Sequence, residues 1–523
     1  MQYENQKVIT IFTITATLYT SRKHEGIYMK YHYFLFLLLV PFIGFSQSDN
    51  KQPEVYTDST TNYVELLGFG TTNGHTPFWQ QANQFGVVPV LGPFGSVRGG
   101  VEGYWPLSVN TNRNVFRVGA GVEAVANMGE TSKVLLPQLH ATLRYKNWEF
   151  YVGRKKQWVG LADSTLGSGS YAWSGNALPI PKIHIGTTRF VPVPFTKKWI
   201  SFQAFYSDGL FERGRPITSG LKFHEKAFYL RIGKANSTFK LYGGFNHQVQ
   251  WGGRSKVDLG LAGEDGNFPD GFANYISAVT GAIGGSGDDI VHFDSTSRIG
   301  NHLGSIDAAI EIETYGMSIF LYRQFVYEDG SLFYLTTLND GLYGARIRKK
   351  NSYGANFEIT EGVFEVLYTK SQGGDIFVLQ NGKYRGHDNY FNNQQIRDGW
   401  SYFDRTIGTP FIPPTSQTDW KWPRYANNFT SNNRVLLYHL GLKGTLFRKL
   451  EWQTKLSYSL NYGTYLEKYL SIPKQFSGLF ALQTKVDILG GLTVKGSYAT
   501  DSGDLYRKTH GFMLGVRKDF SFY

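Results

Sequence analysis

Apolar and polar residues alternate over long runs in the last hundred residues of the chain. Leu450, Trp452, Thr454, Leu456, Tyr458, Leu460 and Tyr462 fall on one face of an extended segment, with Glu451, Gln453, Lys455, Ser457, Ser459 and Asn461 on the other. A strict period of two predicts a strand, and this one is about twice the length usual in a soluble sandwich. The pattern recurs nearby. Leu436, Tyr438, Leu440, Leu442 and Leu446 oppose His439, Lys443 and Thr445. Phe480, Leu482, Val486 and Ile488 oppose Gln483, Lys485 and Asp487, and Leu492, Val494 and Tyr498 oppose Thr493, Lys495 and Ser497. Gly490-Gly491 predicts a short turn between the last two. Phe512, Leu514, Val516, Phe520 and Phe522 carry the alternation onward, and Lys518 is the one break in their apolar face. Strands of this length, apolar on one side and charged on the other, predict an all-β fold, a transmembrane antiparallel barrel with lipid outside and a polar lumen.

The N-terminal pattern is different. Met29-Lys30-Tyr31-His32 is a short basic start, Tyr33 to Phe45 is almost wholly apolar, and Gly44 and Ser46 are the small residues of a cleavage site before Gln47. Residues 29–46 therefore read as a secretory signal and residues 1–28 as an upstream extension. No later run reaches about 20 continuous apolar residues, so no membrane helix is expected. The domain plan is a plug-like segment with the first strand over 47–100 and the barrel over 101–523, with a short helix near Pro77–Asn83. At roughly 25 residues per strand with its share of loop, about 475 mature residues give 16–20 strands. The polar stretches Gly252–Gly300 and Ser371–Asn433 become long extracellular loops.

Composition narrows the chemistry. The chain has no cysteine, which excludes a disulfide framework, a thiolate metal site and a cysteine nucleophile. No phosphate loop is present, and His224-Glu225 lacks the second histidine of a zinc-protease helix. Glu264 to Asp289 is acidic and Gly-rich and reads as a solvated loop ahead of a Ca²⁺ site. No catalytic residue, cofactor, metal or nucleic-acid partner is expected. Aromatic residues are abundant at 16%, and several gather in loops: Trp400, Tyr402, Phe403, Trp420, Trp422 and Tyr425, among Arg385, Arg397, Arg405 and Arg424. Aromatic faces stack on sugar rings and arginine forks take carboxylates. A net charge of +12 suits an acidic polymer, and equally the phosphates of lipopolysaccharide.

One stretch reads Gly153-Arg154-Lys155-Lys156-Gln157-Trp158-Val159-Gly160, followed by Tyr171-Ala172-Trp173-Ser174-Gly175-Asn176-Ala177-Leu178-Pro179-Ile180-Pro181. With Pro77–Gly86, His387–Asn393, Gly399–Phe403 and Ile407–Pro410, in that order and spacing, it resembles the Wzi-type capsule assembly proteins, in their Bacteroidetes branch. The resemblance implies an eighteen-stranded outer-membrane barrel, a lectin that holds capsular polysaccharide at the cell surface. Its enterobacterial members carry an N-terminal helical bundle, for which residues 47–100 show little periodicity. The expected function is binding of capsular or other surface polysaccharide by a monomer in the outer membrane, inserted by the barrel assembly machinery. The competing class is a porin-like passive channel. Candidate sugar contacts are Trp420, Trp422, Arg424, Trp400, Arg405, Trp173 and Asn176.

Overall fold

The computed structural model describes residues 60–107, 116–257, 260–283, 298–328, 332, 334–351, 354–380, 383–424 and 428–520. The proposed extension and signal, Asp288-Asp289, Tyr425 and Phe522 lie outside these residues.

Eighteen strands close into one antiparallel barrel. The first six are β1 (Thr60–Thr71), β2 (Phe94–Pro106), β3 (Phe116–Gly129), β4 (Lys133–Tyr145), β5 (Trp148–Arg154) and β6 (Lys182–Thr187, resuming at Val191–Pro192). Next come β7 (Ile200–Leu210), β8 (Lys222–Ile232), β9 (Phe239–Trp251), β10 (Asn301–Glu313), β11 (Met317–Tyr327) and β12 (Gly341–Lys349). The last six are β13 (Phe357–Tyr368), β14 (Val435–Leu446), β15 (Leu450–Asn461), β16 (Lys474–Val486), β17 (Leu492–Gly503) and β18 (Thr509–Phe520). Each pairs with the next, and β18 pairs back onto β1 from Asn62↔Phe520 to Thr71↔Gly511. Within 47–100 the described residues hold β1, the α1 connection and the start of β2. Among the described residues two α-helices lie outside the wall strands, α1 (Phe78–Gln81) and α2 (Phe272–Thr280); α1 falls where a short helix was expected.

Burial along the strands is inverted relative to a soluble protein. On β15 Leu456 and Tyr458 are exposed while Lys455, Ser457 and Ser459 are buried. On β18 Phe512, Leu514, Val516 and Phe520 are all exposed. That is the signature of a wall whose outer face needs lipid. Lys518, the break in that face, donates from Nζ to the carbonyls of Leu489 (2.8 Å), Gly490 (2.5 Å) and Gly491 (3.1 Å), so the adjoining turn takes up its donors. Two irregularities shift the alternation. Between Ile359 and Glu361 on β13 a bulge lets both Glu358 and Glu361 face the lumen. The other, opposite Glu123–Val125, accommodates Pro137, which has no N–H for a ladder.

Connections after even-numbered strands are mostly short, down to residues 146–147 and 447–449, while those after odd-numbered strands include 155–181, 252–300 and 369–434. The barrel therefore has a short-turn end and a long-loop end, the latter extracellular in outer-membrane barrels.

Candidate functional site

Three long-loop segments fold back into the lumen and fill its upper half. The first carries α1: Phe78 and Trp79 are buried, the Trp79 Nε1 donates to Ser457 Oγ on β15 at 3.1 Å, and the Phe78 N–H donates to Asp501 Oδ2 on β17 at 2.8 Å. The second, 155–181, crosses the lumen. The N–H of Leu161 donates to Asp307 (2.8 Å) and that of Ser168 to Glu365 (2.5 Å), both wall carboxylates. Asp163 closes the segment on itself, accepting from the N–H groups of Thr165 (2.9 Å) and Leu166 (2.7 Å). Burial opposes its ionisation, but these donors and Arg346 hold it below the usual carboxylate range. The third segment, 387–434, meets the second. The Thr409 N–H donates to Tyr171 O at 2.8 Å, and the Phe391 N–H and the Tyr171 hydroxyl both donate to Glu328, at 2.8 and 2.9 Å. Close approach explains two glycines: a Cβ on Gly408 would lie 2.1 Å from Tyr171 O, and one on Gly441 of β14 2.3 Å from Leu166 O.

The motifs that carry the sequence resemblance converge in this plug. Ser174 Oγ donates to Gly408 O (2.6 Å), Asn176 Nδ2 donates to Thr406 O (3.0 Å), and Asn176 Oδ1 accepts from the Asn83 N–H (3.2 Å). Two of the candidate sugar contacts lie inside the plug. Trp400 is fully buried among plug aromatics, and Trp173 is buried with its Nε1 on Gln157 O and Lys182 Nζ 4.7 Å over its ring. Both are large apolar faces that the plug needs in order to stay dry.

Above the plug, at the long-loop end, a cleft opens between the α1 segment, residues 405–424 and the β17–β18 hairpin. Its walls include His75, Thr76, Asn176, Arg405, Arg424 and Arg507. It encloses about 60 Å³ of free space, room for a few waters or one small head group and not for a whole sugar ring. Arg405 forms the floor. It is buried, and its two terminal nitrogens donate to Gln81 Oε1 and Val88 O, both at 2.6 Å. Among the described residues no carboxylate lies within ion-pair distance, and burial lowers its pKa to about 10. Arg424 and Arg507 stand exposed at the rim; Arg424 donates to Thr418 O at 3.0 Å. Thr76 Oγ1 is buried without a hydrogen-bond partner. Burial, with the neighbouring Arg507, holds His75 below its ordinary pKa and so uncharged at neutral pH. Asp501 also lines the cleft, but both its oxygens are engaged, by Ser477 and by the Phe78 N–H.

The remaining candidates border this cleft. The Asp419 N–H donates to Leu505 O at 2.8 Å and Trp422 Nε1 donates to Asp504 O at 2.6 Å, which docks the 419–422 turn on the hairpin that bears Arg507. Trp422 stacks on Tyr469 (centroids 4.6 Å apart), while Trp420 is 73% exposed and free to present its face outward. Arg405, Arg424 and Asn176 thus come together, with Trp420 and Trp422 beside them. His75, Thr76 and Arg507 were missed; each is an isolated polar residue in a turn, with no spacing that marks it.

No protein-family model and no curated protein matches the chain. Among solved structures, the chain is similar to Wzi of Escherichia coli, described as an outer membrane protein involved in group 1 capsule assembly and a carbohydrate-binding β-barrel. The match covers 88% of this chain and 85% of that one, with a TM-score of 0.54 and 14% identity. The Pseudomonas aeruginosa barrel OccK5 (OpdH) matches at a TM-score of 0.42 and 10% identity, over 89% of this chain and 98% of that one. Acinetobacter baumannii OccAB2 gives 0.43 and 10%, over 89% and 98%. The fold is that of an outer-membrane β-barrel of the Wzi-like kind.

Proposed function

We propose that this protein is an outer-membrane lectin of the Wzi type that holds an acidic capsular or surface polysaccharide at the cell exterior, making and breaking no bond. The observation that carries this reading is Arg405, a buried guanidinium without an acidic partner at the floor of a cleft that faces the long-loop side. A buried cation is costly unless an anion meets it, and a sugar carboxylate entering between Arg424 and Arg507 would do so, in contact with the unpaired Thr76 hydroxyl. The ring itself would rest outside, where Trp420 offers a stacking face. Repeated weak contacts along a polymer make attachment persistent. The filled upper lumen supports binding over passage of solutes, and so favours the lectin above the passive channel.

The test is binding of the purified barrel to an immobilised uronic-acid polymer. Charged hydrogen bonds contribute about 1.5 kcal/mol or more each, so Arg424→Ala with Arg507→Ala should weaken binding roughly a hundredfold or more. Binding to a neutral polymer should barely change, and heat-modifiability on a gel should stay normal. Unchanged affinity for the acidic polymer would sink the cleft as the site. A deletion strain should shed polymer into the medium; one that keeps its capsule and loses uptake of a small solute would establish the channel instead.

A further inference from the structure

The wall is not apolar all the way round. On β7 to β10 the outward face is set by Tyr206, Phe228, Phe245 and Ile306, all exposed. Period-two alternation puts Asp208, His224, Lys226, His247 and His302 on that same face, nearer the long-loop end. Five polar side chains therefore point where lipid would be, yet His224, His247 and His302 are buried. What buries them is α2, in the connection between β9 and β10, which lies against the outside of the barrel. Tyr275 Oη donates to Asp208 Oδ2 at 3.0 Å, the Tyr275 ring stands edge-on to His224, and Lys226 Nζ donates to Val279 O. Ala278 is fully buried in a small cluster with Val249, Trp251 and Ile299. Strand rise and a tilt of ~40° place Lys226 roughly 10 Å below the long-loop rim.

The other face of α2 is the unexpected one. Phe272 is 80% exposed and Ile276 45%, and Ile283 just beyond the helix is exposed too. The helix, Phe-Ala-Asn-Tyr-Ile-Ser-Ala-Val-Thr, carries no charge. A helix on a water-facing surface turns charged residues outward; this one turns phenylalanine and isoleucine outward, in continuity with the lipid-facing wall beside it. We infer that α2 is a cover seated in the outer leaflet: one face seals a polar window in the barrel wall, and the other takes lipid acyl chains. This inference rests on the barrel fold alone and is independent of the polysaccharide reading.

The absence of cysteine makes the test direct. Phe272→Cys and, separately, Ile276→Cys are labelled with a bimane fluorophore, and the full barrel is reconstituted in phosphatidylcholine vesicles with and without brominated acyl chains. Leu514→Cys on the outward face of β18 is the lipid reference, and Lys421→Cys by the cleft is the aqueous one. Quenching at either α2 position of at least half that at Leu514 is the expected result. Quenching below half at both positions overturns the inference and places the helix in water.

Discussion

The two halves of the lumen use acidic side chains in opposite ways. In the long-loop half three wall carboxylates grip backbone, Asp307, Glu365 and Asp501 accepting from the N–H groups of Leu161, Ser168 and Phe78, while Glu225 there takes Lys182 at 2.6 Å. In the short-turn half they meet cations. Glu361 faces Lys443 Nζ at 2.6 Å and Arg348 at 2.8 Å, Glu149 faces Lys155 at 2.8 Å and Arg144 at 2.5 Å, and Lys240 lies 3.1 Å from Glu311. The difference follows from water. Where plug segments exclude solvent, each carboxylate must be satisfied by donors fixed in place. In the short-turn half the carboxylates are covered by long cations that themselves stay partly exposed, Lys443 and Arg348 among them. A glutamate facing the lumen thus anchors backbone in one half and centres an ion-pair network in the other.

The comparison breaks most visibly at the plug core. Tyr171 and Phe391 are fully buried with ring centroids 5.3 Å apart. Replacing both by Ala should cost the plug about 3–5 kcal/mol per side chain. Planar-bilayer recordings should then show stable conductance steps where the parent is silent, with the wall still heat-modifiable. A silent, well-assembled variant would mean that this core does not hold the plug. A carboxylate grip is the next largest effect. Glu365→Gln keeps the shape but loses the charge that receives the Ser168 N–H, at about 1.5–3 kcal/mol. The Ser168 amide should exchange its hydrogen tenfold faster or more, with strand amides of β18 unchanged.

A pH ramp sharpens the contrast. The folded pKa of Asp163 lies below its unfolded value, so its contribution is present above about pH 4 and is lost as acid titrates the folded carboxylate. Protection of the amides across 163–168, taken against the intrinsic exchange rate at each pH, should therefore fall at the acid end of the ramp, and Asp163→Asn should flatten that response. The smallest effect belongs to the short-turn half. Lys443→Ala leaves Glu361 with Arg348 and Arg346, so the midpoint of heat modification should shift by an amount equivalent to about 1 kcal/mol or less. A loss matching that of Glu365→Gln would erase the distinction between the halves.

The wall was legible in the sequence because lipid and lumen impose opposite demands on neighbouring residues. Leu456 against Lys455 and Leu440 against His439 announce both a strand and its orientation. Even the turn at Gly490-Gly491 followed, since both residues adopt positive φ, 72° and 93°. The plug was not legible. Its residues obey no period, and its motifs, read as a family signature around Asn176 and Trp400, act through contacts between segments hundreds of residues apart. The same holds for the cleft. Arg405 and Arg424 stood out by their aromatic neighbourhood, but the burial that sets Arg405 apart from Arg424 comes from the 76–92 segment, which nothing in the local sequence foretells. Lys226 and His247 would read inward by their polarity, and only the cover supplied by α2 explains their place outside.

All three plug segments leave and re-enter the wall at the same rim. The stopper is carried by loops and not by the strands, so closing the cylinder and stoppering it are separable events in time. The seam between β1 and β18 can zip around a water-filled bore, and the loops can then descend and drive that water out. A young barrel of this design is a transient hole that heals itself, and any agent that delays the descent of residues 155–181 prolongs the leak without harming the wall.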